Sequence, residues 1–250
     1  MSDEGILRVE RVNKSFGGVQ AVHEVSFEVR KGEFVGIIGP NGSGKSTLVN
    51  LITGFVKPNA GRVYFYGKDI TGKKPYTIAN LGIARSFQMA KAFTDLSAFK
   101  NLIIPLYSPR VRRFRGGQYG ERDDVAIDIL EEVGFERDSA VPFKTANSLP
   151  HGYVKRLELA RCIALRPDLM ILDELFSGMS MAEVAGTLPV VEKIKEEGTT
   201  LIMIEHRLKE LFRVVSRVMV LNYGQKIADG PPEEVMESEA VKKAYLGSEE

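Results

Sequence analysis

Gly39-Pro40-Asn41-Gly42-Ser43-Gly44-Lys45-Ser46-Thr47 follows an apolar run, Phe34-Val35-Gly36-Ile37-Ile38, and leads into Thr47-Leu48-Val49-Asn50-Leu51-Ile52. The first run reads as a buried strand and the second as a helix, with the glycines on the turn between them. That context makes G-x-x-x-x-G-K-[ST] a phosphate cradle rather than a chance turn. Glycines permit positive φ and let backbone N–H groups converge on one point. The helix that starts there adds the positive end of its dipole. Lys45 should then reach the β- and γ-phosphates of a nucleoside triphosphate, and Ser46 should ligate Mg²⁺.

Working outward, 250 residues suit one large domain or a core with a smaller lobe. Hydrophobic residues at 44% and charged residues at 27% are ordinary for a soluble globular chain. A formal net charge of +1 gives no global electrostatic case for nucleic acid or an acidic membrane surface. With Cys162 as the sole cysteine, no internal disulfide framework is possible. Met1 to Gly5 has neither a basic start nor an apolar run, so no secretory leader is expected. No apolar run approaches the roughly 20 residues of a membrane-spanning helix.

Ahead of the phosphate loop, Ile6–Val12 and Val25–Arg30 read as strands, and Lys14–Gly18 as a turn carrying the aromatic Phe16. After it, Arg62–Tyr66 is a strand, 69–75 is loop chemistry, and a strand-like stretch runs from Leu81 to Gln88. Phe93–Leu106 reads as helix, Tyr107–Asp123 as a long loop with Arg110, Arg112, Arg113 and Arg115, and Asp124–Val133 as an amphipathic helix. Its apolar side carries Val125, Ile129, Leu130 and Val133. Leu169–Leu172 and Thr199–Ile204 are apolar without alternation, as in parallel strands covered on both faces. A helix is expected between them from Met181 to Glu197. A hairpin about Tyr223-Gly224 and one or two terminal helices complete the chain.

Asp173 closes an apolar strand, the place where a phosphate-loop enzyme keeps its second metal-side carboxylate. Glu174 follows directly. Successive residues of a strand point to opposite sides, so Asp173 can hold metal through water while Glu174 polarises an attacking water. Taken alone, the pair would be only a solvated acidic turn. Downstream of the Lys45 loop it points to triphosphate hydrolysis.

The ordered set of motifs resembles the nucleotide-binding subunit of an ATP-binding cassette transporter over nearly the whole chain. The resemblance implies that Phe16, within Lys14–Gly18, stacks on adenine, for which a flat apolar face suffices. By the same likeness Gln88 senses the γ-phosphate and the metal, and His206 contacts the γ-phosphate. Leu149-Pro150-His151-Gly152-Tyr153 with Arg156–Arg161 matches the family's signature region, and Ser177–Ser180 its dimer-contact loop. Expected ligands are therefore ATP, held by Phe16, Gly39–Thr47 and, in trans, Pro150, His151 and Gly152, and Mg²⁺, held by Ser46, Gln88 and Asp173. Catalysis would fall to Glu174, His206 and Gln88. The implied fold is an α/β P-loop NTPase with an N-terminal antiparallel β subdomain and an inserted helical subdomain. Residues 1–88 and 166–250 would form the core with the β subdomain, and about 89–165 the helical lobe.

Phe16–Ala21, Ile52–Phe55, Gly82–Gln88, Ile204–His206 and Ala244–Gly247 are closest to the branched-chain amino-acid uptake group. Urea uptake and lipopolysaccharide export are related alternatives. The implied partners are a second cassette subunit, membrane permease subunits and, indirectly, a substrate-binding protein, with no nucleic acid. The chain would then be cytoplasmic and peripheral on the inner membrane face. Met89, Phe93 and Phe99 are apolar candidates for the permease contact. The family consensus Leu-Ser-Gly-Gly-Gln meets Pro150 at the serine, His151 at the first glycine and Tyr153 at the glutamine. Leu175 replaces a usual proline, and Ser180 a usual Asp or Asn. Such departures fit a paralogous heterodimer with unequal sites, a homodimer being the alternative, or a nucleotide-gated subunit of weak turnover. A soluble cassette acting on ribosomes or DNA is a further rival, with Arg110–Arg115 its only support.

Overall fold

The computed structural model describes residues 5–87, 92–114 and 122–246. In chain order its elements are β1 (Gly5–Phe16), β2 (Val19–Arg30), β3 (Phe34–Ile38), α1 (Lys45–Ile52), β4 (Ala60–Phe65), β5 (Lys68–Asp69), α2 (Pro75–Leu81), β6 (Ile83–Arg85), α3 (Ala98–Leu106), α4 (Pro109–Phe114) and α5 (Arg122–Glu132). Then come α6 (His151–Ala164), β7 (Leu169–Asp173), α7 (Met181–Glu196), β8 (Thr200–Ile204), α8 (Leu208–Val214), β9 (Arg217–Asn222), β10 (Gln225–Gly230), α9 (Pro232–Glu237) and α10 (Glu239–Leu246). They fall into two compact units, Met1–Ile78 with Gly198–Glu250, and Ala79–Glu197.

In the first unit β1 and β2 form an antiparallel hairpin, extended by β4 and β5 on the far side of β1. The turn is shorter than the sequence suggests. Lys14, Ser15 and Phe16 remain paired with Val22, Gln20 and Val19, and only Gly17-Gly18 turns, at φ 51° and 88°. Two successive left-handed residues close a two-residue hairpin without splaying its strands. A second layer of strands has β3 at its centre, parallel to β8 on one side and to β9 on the other, with β10 antiparallel at the edge. Every residue of β3 and of β8 is buried, as non-alternating apolar runs require. Arg217 ties this layer together: its guanidinium donates to Asp229 at 2.6 and 2.9 Å, to Glu33 at 3.2 Å and to the Glu28 carbonyl at 2.9 Å. Burial works to raise the Asp229 pKa, but hydrogen bonds from Arg217 and Lys226 hold it below the usual carboxylate range.

The second unit pairs β6 in parallel with β7 and packs α3, α5 and α6 against one another. Three expectations need correction here. Pro75, read as loop, and Leu81, read as the start of a strand, are the ends of α2, because Pro75 suits a first helical position and Gly82 at φ 124° then ends the helix. Helix α3 starts at Ala98, not Phe93, since Ser97 caps it by accepting from the Lys100 N–H at 3.2 Å. The arginine cluster does not begin in a loop: residues 109–114 form α4, on which Arg112 and Arg113 are exposed while Arg110 is buried, donating to the Arg166 and Leu81 carbonyls and pairing with Asp168. Arg115 lies outside the described residues. On α5 the buried positions are Arg122, Ala126 and Leu130, followed by Val133, while Val125 and Ile129 are half-buried. Helix α7 carries a capping box, Ser180 accepting from the Glu183 N–H while Glu183 accepts from the Ser180 N–H. Among the described residues no helix is long and apolar enough to cross a membrane.

Candidate functional site

Strand β3 delivers the chain to Gly39, and α1 takes over at Lys45. Because β8 is its parallel neighbour, with Ile37 opposite Ile204, the glycine loop and Glu205-His206 leave the same carboxyl-terminal edge. Ligands of α/β folds bind outside that edge. The loop squeezes between the backbones of β2 and β9. A Cβ on Gly39 (φ 149°) would stand 2.0 Å from the Leu221 carbonyl, and one on Gly44 (φ 101°) 2.3 Å from that of Ala21. Only glycine can occupy either place. Gly44 caps α1 without any side-chain hydrogen bond, which leaves the helix start to backbone N–H groups alone. Lys45 is buried, and its ammonium donates to the Gly39 and Pro40 carbonyls at 2.8 and 2.9 Å. The loop is thus curled around a cation, with the Ser46 hydroxyl in an exposed residue beside it. Phe16 ends β1 with 48% of its surface exposed, and the Lys14 ammonium lies 5.0 Å from its ring centre. The aromatic face that base stacking needs is outside the core.

In the second unit Asp173 ends β7 and is 2% exposed. Its Oδ2 accepts from Arg85 at 2.7 Å, while its buried Oδ1 has no hydrogen-bond partner among the described residues. A buried carboxylate oxygen without a donor fits a metal ion or a metal-bound water. Glu174 follows at φ 52°, a left-handed conformation uncommon outside glycine, and its carbonyl accepts from Lys155 at 3.0 Å. Strained backbone of this kind gathers at working sites. Gln88 and Met89 lie outside the described residues. Phe93 is exposed, and Phe99 is half-buried against Phe143, ring centres 5.7 Å apart.

The structure gives the departures in the signature region local partners. Pro150, at φ −55° and ψ 152°, is the residue before α6, where its fixed φ and missing N–H cost nothing. The His151 Nε2 lies 3.0 Å from the Ser177 carbonyl and must be the donor there. Gly178 (φ 75°) has to be glycine for this contact, since a Cβ would stand 2.6 Å from that nitrogen. Gly152 has ordinary helical backbone, and a Cβ there would meet only the Glu183 side chain, at 2.0 Å from its Oε1, which would have to move aside. Tyr153 packs edge-on against Phe135 with ring centres 5.0 Å apart. Ser180 is committed to capping α7.

Three contributors are not evident from local sequence. Arg85 and Lys155 touch Asp173 and Glu174 from other elements. Tyr245 of α10 takes a hydrogen bond from the Gly39 backbone at the mouth of the loop; burial, the larger influence, raises its pKa. Cys162 is buried, and burial pushes its thiol up and out of reactive range.

A parallel strand, a glycine loop curled on a lysine, and a neighbouring strand followed by Glu205-His206 define a P-loop nucleotide-binding protein. The ABC transporter family matches residues 22–177, and the branched-chain amino acid ATP-binding cassette transporter family matches residues 225–250. A high-affinity branched-chain amino acid transport ATP-binding protein, BraF of Pseudomonas aeruginosa, is 33% identical over 97% of this chain and 98% of its own length. The nucleotide-free structure of an ATP-binding cassette from an ABC transporter superposes with a TM-score of 0.85 at 33% identity, covering 98% of this chain and 100% of that one. A dimeric cassette in a post-hydrolysis state, bound to ADP and Pi, gives a TM-score of 0.79 at 26% identity over 90% of this chain and 98% of that one. This chain belongs to the ATP-binding subunits of ABC transporters, and is an ATP hydrolase of that family.

Proposed function

We propose that the chain energises amino-acid import, with branched-chain amino acids as the cargo class, by working on a separate membrane permease that a substrate-binding protein supplies. The cargo assignment is supported by the relative's stated function and by the family match over residues 225–250. The observation that carries the ATPase reading is the Lys45 loop, curled on its own ammonium and open at the start of α1. On this reading Phe16 stacks on adenine and Gly39–Thr47 cradles the phosphates. Lys45 exchanges the Gly39 and Pro40 carbonyls for phosphate oxygens. Ser46, Asp173 and Gln88 would hold Mg²⁺, which when bound supplies neutralising charge to the phosphate oxygens. Glu174 takes the proton of the attacking water as general base, and His206 donates toward the γ-phosphate. Residues 1–88 and 166–250 carry this chemistry, and about 89–165 the coupling to the permease, with Phe93 and Phe99 at that contact. The chain works on the cytoplasmic face of the membrane.

A paralogous partner subunit is favoured by the signature region itself. Pro150 has no hydroxyl to offer a nucleotide in trans, His151 faces Ser177, and Tyr153 is packed on Phe135. Purified alone, the chain is expected to bind MgATP but turn over slowly, with at least a tenfold gain when the paralogous subunit is added. Brisk hydrolysis by a self-dimer would remove the heterodimer. The Lys45→Ala variant is expected to lose about 100-fold in nucleotide affinity, roughly 2.7 kcal/mol. Fluorescent-nucleotide titration reads that loss, and unchanged affinity would move the cradle elsewhere.

A further inference from the structure

Arg85 and Asp173 form an ion pair of 2.7 Å with side chains only 8% and 2% exposed. Desolvating two charges costs about as much as their attraction returns, and apolar pairs of similar size often serve stability as well or better. A buried pair at this place therefore calls for another reason. Three contacts fix the carboxylate and its backbone. Arg85 Nη2 holds Oδ2, the Asp173 N–H donates to Ser86 Oγ at 3.0 Å, and the Ser86 N–H donates to the Ile171 carbonyl at 2.9 Å. Parallel pairing sets Arg85 against Ile171, two residues before the carboxylate it holds. The guanidinium also lies 5.0 Å from the Phe87 ring, which limits its own freedom. What remains is one carboxylate oxygen, Oδ1, buried and without a hydrogen-bond partner among the described residues.

We propose that Arg85 is a positioning residue for the metal: by holding Oδ2 it stops rotation of the Asp173 carboxylate and presents Oδ1 alone to a water on Mg²⁺. The proposal rests on the assignment of Asp173 to the metal. Groups that orient a ligand or its outer partners commonly change metal affinity when removed. Without Arg85, rotation would average Oδ1 and Oδ2 over orientations that hold no metal water.

The test is binding of a fluorescent non-hydrolysable ATP analogue to the full chain, titrated with Mg²⁺ and repeated in EDTA. Arg85→Met is expected to need about tenfold more Mg²⁺ for half-maximal enhancement, with metal-free affinity within about twofold of wild type. Arg85→Lys keeps the charge but not the planar fork, and should fall between, about threefold shifted. An unchanged Mg²⁺ midpoint in Arg85→Met overturns the proposal, as does a parallel loss of metal-free binding, which marks a merely structural pair. If Arg85→Met is not recovered folded, the Arg85→Lys midpoint decides in the same way. Asp173→Asn in the same titration separates the two levels: no Mg²⁺ shift there removes the metal assignment and the proposal together. A shift in Asp173→Asn without one at Arg85 removes the proposal only.

Discussion

Glu174→Gln is expected to bind MgATP as tightly as wild type and to lose turnover by about 10²- to 10⁴-fold, the usual worth of a positioned general base. Glutamine has nearly the same shape but cannot take a proton from water. The place of Glu174 argues for such a cleanly chemical effect. It is the first residue after β7, held at φ 52°, with Lys155 bonded to its carbonyl. The backbone contacts that set this conformation survive the substitution. Neither change of fold nor loss of nucleotide affinity should accompany the loss of rate. Single-turnover hydrolysis, beside nucleotide titration, checks the split. With the proposed paralogous subunit present, arrest before hydrolysis should also accumulate the MgATP-closed heterodimer, visible by size-exclusion chromatography, if hydrolysis reopens it. Turnover within tenfold of wild type would give the proton-accepting role to another group.

The phosphate loop is legible in the sequence because its chemistry is local. Strand, glycines, lysine and helix are contiguous, and each fixed glycine answers a steric demand close to the loop. Asp173 and Glu174 are legible for the same reason, being the end of one apolar strand. Arg85 is not, because it meets Asp173 only through the parallel pairing of β6 with β7, which joins residues far apart in the chain. Arg110 misleads in the opposite direction. A run of arginines reads as a solvated surface, yet Arg110 turns inward to satisfy the Arg166 and Leu81 carbonyls. The start of α3 is hidden because Phe93 and Leu96 continue its apolar spacing, while the Ser97 cap outweighs them. In the signature region the residues depart visibly from a consensus, but their partners are out of sight, since His151–Ser177 and Tyr153–Phe135 are tertiary contacts.

Asn101→Ala is expected to destabilise the second unit by about 3–5 kcal/mol, the sum of several buried polar groups left unpaired at about 1–3 kcal/mol each. Asn101 is fully buried in α3. Its Oδ1 accepts from the Phe93 N–H at 2.8 Å, and its Nδ2 lies 3.1, 3.3 and 3.0 Å from the carbonyls of Phe93, Leu96 and Ser97. One side chain therefore stands in for the helical turn that residues 93–97 do not make. The same stretch accepts from the far side, where the Ala146 N–H donates to Leu96 and the Asn147 N–H to Thr94. Those residues lead into Leu149 and α6, so loosening at Asn101 should spread to the start of the signature helix. Asp in place of Asn keeps the acceptor but turns a second oxygen toward the carbonyls, and should cost at least as much as Ala. Urea unfolding gives the total, and hydrogen exchange at 93–97 and 146–152 gives its path. If nucleotide affinity rests on the Lys45 loop, as proposed, it should stay within about twofold, whereas association driven by MgATP should weaken in step with exchange at 146–152. A loss below about 1 kcal/mol would mean that water replaces the amide, and the 93–97 turn holds by its links to Ala146 and Asn147 alone.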